Sequence, residues 1–372
     1  MQALALQQPW AVTEVSERSA FMAVQPAWDA LVSAMGGSPF YRHDFFRIWL
    51  DNFAPTTRWR ILLARDEQGQ LQAFLPLIEE RVSFYGLPVT QLSAAANPHS
   101  CRFDMVASDA KVAAQAFLSH LNADARWDVV RLIDVPERGN GFALYEAAKA
   151  QGLPAGTWES LRSPYLPLPA TWEALQTQLT AKFKGNLRRR RKKLEEKGKV
   201  TFERCSGGEL LDAHLEEGFI LESSGWKGEQ GTAIAQDLAT RGFYQELARR
   251  SAYQGELSLY FLRLDGRAVA FHYGLAVESR YYLLKPGYDE SLKECSPGQL
   301  LMEEVIRDCI SRGIDEFDFL GPDMVWKRDW TDKVRAHTWL FMFRDSRMGR
   351  ALCKAKFNWA PKAKELVTRW KK

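Results

Sequence analysis

The chain repeats one order of predicted elements, a hairpin followed by a helix and a strand, in each of its halves. In the first half, the strand-like segments are 59–64 and 71–78, the helical pattern is 112–121, and the buried strand is 127–135. In the second half, the corresponding segments are 257–264, 267–277, 302–312 and 316–320. Asp265-Gly266 between two apolar runs is the strongest short hairpin signal. The repeated order predicts two similar α/β domains, each built on a mixed sheet.

A basic segment separates the two halves. Apolar residues recur at helical spacing from Trp172 to Leu194, with Gly198 as the stop signal and Gly185-Asn186 as a kink. We therefore predict one long helix over 171–198 that carries the six cations Arg188 to Lys193. The predicted division is an N-terminal domain over 1–165, a connecting basic helix over 166–199, and a C-terminal domain with a basic tail over 200–372.

The charge is distributed unevenly. The net charge is +4, yet residues 182–199 carry a local charge of +8, residues 344–372 carry another +8, and the remainder is close to −12. We expect an anionic partner at Arg188 to Lys193: RNA, a nucleotide-linked sugar or a membrane surface. The alternatives are a solvated helix face and docking on the protein's own acidic surface.

Other patterns restrict the class of protein. The five cysteines are scattered and share no metal-ligand spacing with histidines, which argues against a disulfide framework and predicts no metal. Residues 1–10 lack the pattern of a signal peptide, and no run of 18 apolar residues occurs. We expect a cytoplasmic protein without a transmembrane segment; a peripheral position at the inner face of the membrane is the alternative.

The segment Ser296-Pro297-Gly298-Gln299 lies between a strand-like segment at 280–285 and a helical pattern. Ser296 is predicted as N-cap, Pro297 as N1 and Gln299 as N3 of a capping box. Gly298 would let a ligand approach the backbone, where free N–H groups and the positive end of the helix dipole favour an anion such as pyrophosphate. The alternative is an ordinary capped helix.

A set of short motifs occurs in one order along the second half. They are Ser223-Ser224-Gly225-Trp226-Lys227-Gly228, Gly231-Thr232-Ala233-Ile234, Leu264-Asp265-Gly266, Gly287-Tyr288-Asp289-Glu290, Ser296-Pro297-Gly298 and Phe317-Asp318-Phe319. Over about residues 160–345 this set resembles the GNAT acyltransferase family of CelD-like proteins of cellulose biosynthesis, which is related to the Fem-type aminoacyltransferases with two GNAT domains. The first half resembles the family more loosely, through Ser38-Pro39-Phe40, Pro76-Leu77 and Asn97-Pro98-His99.

The resemblance implies tandem GNAT-like domains, the first of them degenerate, and a bacterial N-acyltransferase. It implies acetyl-CoA or another acyl-CoA as co-substrate and an amine acceptor on a sugar or a polysaccharide precursor of the cell envelope. One departure leaves the donor open: the usual Arg/Gln-x-x-Gly-x-Gly/Ala loop is replaced by a longer segment over 286–295 and by Ser-Pro-Gly. The alternatives are an aminoacyl-tRNA-dependent transferase and a non-catalytic protein that binds nucleic acid or a membrane surface.

Direct acyl transfer needs a held thioester, a donor to the developing oxyanion and a neutral amine. Three residues are candidate catalytic groups. Asp318 alternates with two phenylalanines and is expected to face the groove as a base, or else to cap a loop or pair with an arginine. His272 has the pKa range of a base, although a hydrogen-bonded core histidine is the more common case. Asp289 could orient an acceptor, or form an Asx turn.

Two further sets complete the predicted site. The candidate donor-binding residues are Ser296, Pro297, Gly298, Gln299 and Lys285. The candidate acceptor-binding residues are Trp226, Lys227, Tyr288 and Lys327. Trp226 and Lys227 lie in a glycine-rich loop, where functional side chains are often exposed.

Overall fold

A computed structural model describes residues 10–124, 126–224 and 234–360. The chain divides into two compact units. Unit 1 contains the residues up to Leu161 and those from Ala336 onward; unit 2 runs from Arg162 to Arg335. The predicted division at residues 165 and 199 differs from this one: the expected connecting segment falls in unit 2, and residues 336–360 fall in unit 1.

Unit 1 alternates strands and helices. Its elements in chain order are β1 (Ala11–Val15), α1 (Arg18–Ala23), α2 (Gln25–Ala34), α3 (His43–Phe53), β2 (Arg58–Arg65), β3 (Leu71–Phe84), β4 (Leu87–Ala94), β5 (Val106–Ala107), α4 (Ala110–Ala123), β6 (Val129–Pro136) and α5 (Gly141–Ala150). Strands β1, β2, β3 and β4 follow one another as antiparallel neighbours. β4 pairs in parallel with β6, and only over Gln91–Ser93 and Val129–Arg131.

Unit 2 follows the same plan. It begins within β7 (Ala155–Pro167), whose residues up to Leu161 belong to unit 1. Its other elements are α6 (Trp172–Gln178), α7 (Ala181–Glu195), β8 (Val200–Cys205), α8 (Leu211–Ser223), α9 (Leu238–Tyr253), β9 (Leu257–Leu264), β10 (Arg267–Val277), β11 (Arg280–Tyr288), α10 (Pro297–Ser311), β12 (Glu316–Asp318) and α11 (Val325–Arg328). The strand order is β8-β9-β10-β11-β12-β7, and among these strands β11 and β12 form the parallel pair. The chain returns to unit 1 within β13 (Val334–Phe343), which pairs with β6, and α12 (Arg347–Lys354) follows.

The parallel pair in unit 2 is short. β11 and β12 pair at three positions, from Arg280–Glu316 to Tyr282–Asp318. β12 ends there, whereas β11 continues to Tyr288. A gap therefore opens beside the second half of β11. The helix α10 packs its apolar face, including Leu301, against one face of this sheet, beside the gap.

The single long helix predicted over 171–198 is wrong. The segment forms α6 and α7, which are separated because Leu179 adopts an extended conformation with φ −80° and ψ 142°. Thr180 then caps the new helix, since its side chain accepts a hydrogen bond from the Phe183 N–H. Gly185 lies inside α7 rather than at a break. Helical periodicity continued through this break because Leu175 and Phe183 are buried on both sides of it.

The Asp265-Gly266 hairpin is confirmed, and both residues have positive φ, at 49° and 85°. Gly198 is required for a different reason than a helix stop: a Cβ there would lie 2.1 Å from the Asp265 carboxylate. Within the described ranges, no helix has both the length and the apolar composition needed to cross a membrane.

Candidate active site

A β-bulge in β11 determines which residues face the gap beside it. Tyr273 of β10 pairs with Lys285, but the next residue, Gly274, pairs with Leu283. Leu284 is therefore the extra residue, and the alternation of side chains reverses after it. As a result Pro286, the register partner of His272, faces the same side of the sheet as α10.

The gap contains a cavity of about 250 Å³. Its walls come from β10, the end of β11, the start of α10 and the segment around α11. The lining residues are His272, Pro286, Gly287, Tyr288, Lys293, Ser296, Gly298, Gln299, Met302, Met324 and Trp326. The lining is mostly apolar, and its few polar groups are a histidine, a hydroxyl, an amide, a phenol and a lysine. Enclosed apolar pockets with a few polar groups are typical of small-molecule sites.

His272 is the most unusual group in the cavity wall. Its side chain is fully buried, and neither ring nitrogen has a hydrogen-bond partner among the described residues. The expectation of a hydrogen-bonded core histidine is therefore wrong. Burial lowers the pKa of His272 to about 3, so the imidazole is neutral near pH 7. A neutral imidazole has one N–H donor and one lone pair, and no described residue bonds to either.

The start of α10 is only partly as predicted. Ser296 is the N-cap and Pro297 is the first helical residue, as expected. Ser296 has a left-handed conformation with φ 46°, and its hydroxyl donates to the Lys293 carbonyl, so the predicted capping box does not form. Pro297 has no N–H, and the N–H groups of Gln299 and Leu300 donate to the Ser296 carbonyl. Gly298 supplies the remaining N–H of this first turn, which is fewer donors than the motif suggested.

Gln299 holds the opposite wall of the cavity. Its Nε2 donates to the Trp326 carbonyl at 3.1 Å, and its Oε1 accepts from the Trp330 indole at 2.8 Å. Both partners lie in or beside α11. Gln299 therefore joins α10 to the segment that carries Met324 and Trp326, instead of completing a cap.

Tyr288 forms the mouth of the cavity, as predicted for an acceptor-binding residue, and its ring lies beside Gly298. It is 36% exposed. Burial, with a contribution from Glu290, raises the pKa of the Tyr288 phenol above its ordinary value. The hydroxyl is therefore a hydrogen-bond donor at neutral pH.

Asp318 does not line the cavity. Its carboxylate accepts hydrogen bonds from the Leu320 N–H at 2.9 Å and from Arg335 at 2.8 Å. Phe317 and Phe319 are buried in the core, so Asp318 faces the opposite side of the sheet as the alternation of side chains predicts. The side of the sheet opposite to these rings, however, is occupied by Arg335. The structure thus corresponds to the arginine-paired alternative rather than to a base in the groove.

Asp289 is also engaged in local structure. Its carboxylate accepts from the backbone and hydroxyl of Ser291 and from Arg267 at 2.6 Å. Burial alone would raise the pKa of Asp289, but these hydrogen bonds outweigh it and hold the pKa below its usual value. Asp289 is an Asx-turn residue outside the cavity lining, so the alternative reading applies.

Two predicted lysines face elsewhere. The bulge turns Lys285 away from the cavity and places its ammonium 5.3 Å from the Tyr244 ring centre. Lys327 is buried and donates to the carbonyls of Leu320 and Pro322, so it stabilises the loop after β12. Neither lysine lines the cavity. Trp226 and Lys227 lie outside the described residues, and their predicted roles stay predictions.

Sequence reasoning missed six cavity residues: Pro286, Gly287, Lys293, Met302, Met324 and Trp326. Met302 follows Gly298 by one helical turn, so the spacing along α10 could have indicated it. Lys293 is exposed at the mouth and was hidden in a loop that looked uniformly polar. Met324 and Trp326 carry no sequence signal, because tertiary contacts such as the Gln299 bonds bring their segment to the cavity.

The basic helix α7 is partly neutralised within unit 2. Arg191 bonds Glu303 at 3.0 Å and Glu304 at 2.6 Å, and Lys193 bonds Glu294 at 2.7 Å. These contacts support the alternative in which the helix docks on the protein's own acidic residues. Arg188, Arg189 and Lys192 remain exposed, and Arg188 also lines a pocket together with Arg191, Glu303 and Arg307. The helix thus combines cations that are bonded to acidic residues of unit 2 with cations that stay at the surface.

Comparison with known families adds a decisive observation. Residues 181–328 match the family model described as Acetyltransferase (GNAT) domain. The match lies within unit 2, spans α7 to α11 and includes every residue that lines the cavity. The expectation of an acyltransferase is therefore confirmed over the non-catalytic alternative. No curated protein sequence matches the chain.

Solved structures share the fold over both units. FemX is 12% identical with a TM-score of 0.54, and the match covers 89% of this chain and 96% of FemX. L-PGS from Bacillus licheniformis is 13% identical with a TM-score of 0.54, covering 91% and 96%. The C-terminal domain of a candidate lysylphosphatidylglycerol synthetase from Agrobacterium fabrum is 13% identical with a TM-score of 0.52, covering 90% and 96%. The predicted mixed α/β fold with tandem GNAT-like units is confirmed.

Proposed function

We propose that the cavity of unit 2 transfers an acyl group, acetyl in the first instance, from a coenzyme A thioester to an amine. The observation that carries the proposal is the buried, unpartnered His272 at the wall of a mostly apolar cavity inside a GNAT domain. A buried polar group without a partner costs stability, and such a cost is typically retained at functional sites. A sugar-borne amine of a cell-envelope precursor is the acceptor class that the resemblance implies.

His272 receives the proton in the proposed reaction. The amine nitrogen attacks the thioester carbon, the C–N bond forms, and the C–S bond breaks as the thiolate leaves. The amine must lose one proton, which passes to the neutral imidazole and from there to the departing sulfur. With a pKa of about 3, His272 is neutral when the amine arrives and holds the proton only until the departing thiolate takes it. The apolar wall formed by Met302 and Trp326 excludes water that would hydrolyse the thioester.

The donor's phosphates would meet the mouth of the cavity. Lys293 offers an exposed ammonium, and the Gly298 N–H is the free donor of the first turn of α10. These two groups fit a single phosphate better than an extended pyrophosphate cradle. The fit is therefore adequate for a coenzyme A arm that enters along the α10 start.

The test is stabilisation by ligand. Free coenzyme A and acetyl-CoA should raise the melting temperature of the full chain. At a ligand concentration of about 100 times Kd, the free energy of unfolding should increase by about 2.7 kcal/mol. The variant Gly298→Glu should abolish this shift, because it adds a negative charge beside Lys293. It should still fold, since a Cβ at this position would make its nearest contact with Tyr288 at an ordinary 3.5 Å. Retention of the full shift in Gly298→Glu would place coenzyme A elsewhere.

A second candidate is aminoacyl transfer from aminoacyl-tRNA. Two observations favour it: the first turn of α10 offers few N–H donors, and α7 carries three exposed cations, Arg188, Arg189 and Lys192. One structural neighbour is named for lysylphosphatidylglycerol synthesis, which is an aminoacyl transfer. No stabilisation by any coenzyme A species, together with binding of aminoacyl-tRNA, would replace the first proposal with this one.

A further inference from the structure

Unit 1 has a cleft of its own at the position that corresponds to the cavity of unit 2. β4 and β6 stop pairing after Ser93 and Arg131, and a cavity of about 420 Å³ opens beyond this point. Its walls include three aromatic side chains, two carboxylates and a guanidinium. They are Trp49, Phe53, Trp339, Glu80, Asp134 and Arg131.

Two hydrogen-bond donors in this cleft lack an acceptor. Trp49 is only 3% exposed, and its Nε1 has no partner among the described residues. The Arg131 Nε is likewise buried and without an acceptor in the part of the chain that the structure describes. Two other buried tryptophans of the unit are satisfied, since Trp28 donates to the Tyr41 carbonyl and Trp127 to the Leu121 carbonyl. Among these three buried tryptophans of unit 1, Trp49 alone lacks an acceptor within the described residues.

The two carboxylates are engaged on one oxygen each. Glu80 Oε2 accepts from the Ser93 hydroxyl and from Gln91. Asp134 Oδ1 accepts from Ser160 and from the Trp339 indole, and no described side chain donates to its Oδ2. An ionised carboxylate has lone pairs for about four hydrogen bonds. The cleft thus offers acceptors as well as donors.

The charges argue against an anionic ligand. Arg131 faces two carboxylates, and Glu80 lies 3.9 Å from its guanidinium. Burial lowers the pKa of Arg131, with Glu80 opposing this shift. A carboxylate or phosphate would enter a site that is already net negative. A neutral ligand with hydroxyl groups could both accept from Trp49 and Arg131 and donate to Asp134.

From these observations we infer that the cleft of unit 1 binds a neutral sugar ring. The ring's hydroxyl groups satisfy the two orphaned donors, and its apolar faces pack against Trp49, Phe53 and Trp339. This site is separate from the cavity of unit 2 and does not depend on the proposed transfer reaction. Unit 1 therefore binds a carbohydrate whether or not it takes part in catalysis.

The experiment titrates the full chain with glucose, N-acetylglucosamine, glucuronate and glycerol, each up to concentrations on the order of 0.1 M. Tryptophan fluorescence and ligand-observed NMR report binding. Trp49→Phe removes one donor while keeping an aromatic wall, and it should weaken binding of the neutral sugars about tenfold. Arg131→Lys keeps the charge opposite Glu80 but removes the orphaned Nε, and should also weaken binding. Trp158→Phe, an exposed tryptophan outside the cleft, is the matched control.

Neutral sugars that bind the wild type and the Trp158→Phe variant, but bind both cleft variants more weakly, support the inference. Binding of glucuronate alone would overturn it in favour of an anion site. Equal binding of glycerol would show that no ring is recognised. Lack of binding by every sugar, or binding unaffected in both cleft variants, would show that the cleft is not a carbohydrate site.

Discussion

Arg335 Nη1 donates to Asp318 Oδ2 at 2.8 Å, while its guanidinium lies 3.8 Å from the ring centre of Tyr165. Asp318 is completely buried, and Arg335 is 24% exposed. The carboxylate at the end of β12 is therefore neutralised by a cation stacked on an aromatic ring. This arrangement fixes the end of β12, where the gap beside β11 begins, and assigns Asp318 to structure rather than to proton transfer.

Replacement of Asp318 should cost stability and spare chemistry. Asp318→Ala removes the acceptor of the Leu320 N–H and leaves the Arg335 guanidinium with Glu316 alone, so we expect a loss of about 2–3 kcal/mol in the free energy of unfolding. The rate constant for acyl transfer by the folded variant should fall less than about fivefold. The control is Asp323→Ala, which breaks an ion pair with Arg328 nearer the surface and should cost under about 1 kcal/mol. A large fall in rate without loss of stability would restore Asp318 as the base.

His272 should make folding sensitive to acid. Burial lowers its pKa from 6.5 to about 3, so the unfolded chain binds a proton below pH 6.5 that the folded chain does not. The free energy of unfolding should therefore fall as pH falls through this window, by about 1.4 kcal/mol per pH unit from this group. Denaturant unfolding gives the free energy of unfolding at each pH, and its dependence on pH between pH 6 and pH 4 should be shallower for His272→Gln than for wild type. The control is His120→Gln, a change at a half-buried surface position. Equal slopes in wild type and His272→Gln would mean that the imidazole is not desolvated.

The same substitution should impair turnover. Glutamine keeps a donor and an acceptor in the cavity wall but cannot take a proton. We expect His272→Gln to lower kcat on the order of 100-fold. The Kd for coenzyme A should change little, because in the proposed complex the donor's phosphates bind at the mouth of the cavity. Stopped-time product assays and calorimetry separate the two quantities. An unchanged kcat would assign the imidazole to binding or packing alone.

Gln299 should control the shape of the cavity. Gln299→Ala removes both bonds that hold the α11 segment, so we expect a loss of about 2 kcal/mol in stability and a several-fold rise in KM for the donor. Gln299→Glu retains an oxygen for Trp330 but loses the donor to the Trp326 carbonyl, and should give an intermediate effect. If Gln299→Ala binds the donor as tightly as wild type, the wall is held by other contacts.

Removing the exposed cations of α7 and removing the paired cation Arg191 should have different effects on stability and on polyanion binding. Changing Arg188, Arg189 and Lys192 to Gln removes exposed cations, so stability should be kept. Binding of total tRNA, used as the polyanion, should lose about two to three units of slope in a plot of log K against log salt. Arg191→Gln removes a cation bonded to Glu303 and Glu304, and should instead destabilise unit 2. If the triple variant binds tRNA with an unchanged salt dependence, the exposed face is only a solvated surface.

Local signals predicted much of the fold. The Asp265-Gly266 turn, the buried strand at 316–318 and the start of α10 at Pro297 each depend on a few neighbouring residues, and the structure has all three. The repeated order of elements also indicated two similar units. These features are set by backbone conformation and short-range hydrogen bonding, both of which depend on residues that are close together in the sequence.

The site was harder to predict because its side chains are placed by tertiary contacts. Whether Asp318 meets a substrate or Arg335 depends on residues 17 positions apart. The helix break at Leu179 interrupts an apolar pattern that gives no sign of it. His272 looked like an ordinary core residue, since no pattern reveals that both ring nitrogens lack partners. Partnering of buried polar groups is a property of the folded neighbourhood, not of a motif.

The extra residue Leu284 determines which side chain of β11 enters the cavity. If Leu284 paired with Tyr273 in a regular ladder, Lys285 would become the partner of His272 and would face the cavity in place of Pro286. Its ammonium would then lie beside the imidazole and disfavour the protonation of His272. The single unpaired residue therefore keeps a cation out of the cavity wall, while the pairing of β10 with the first part of β11 stays regular.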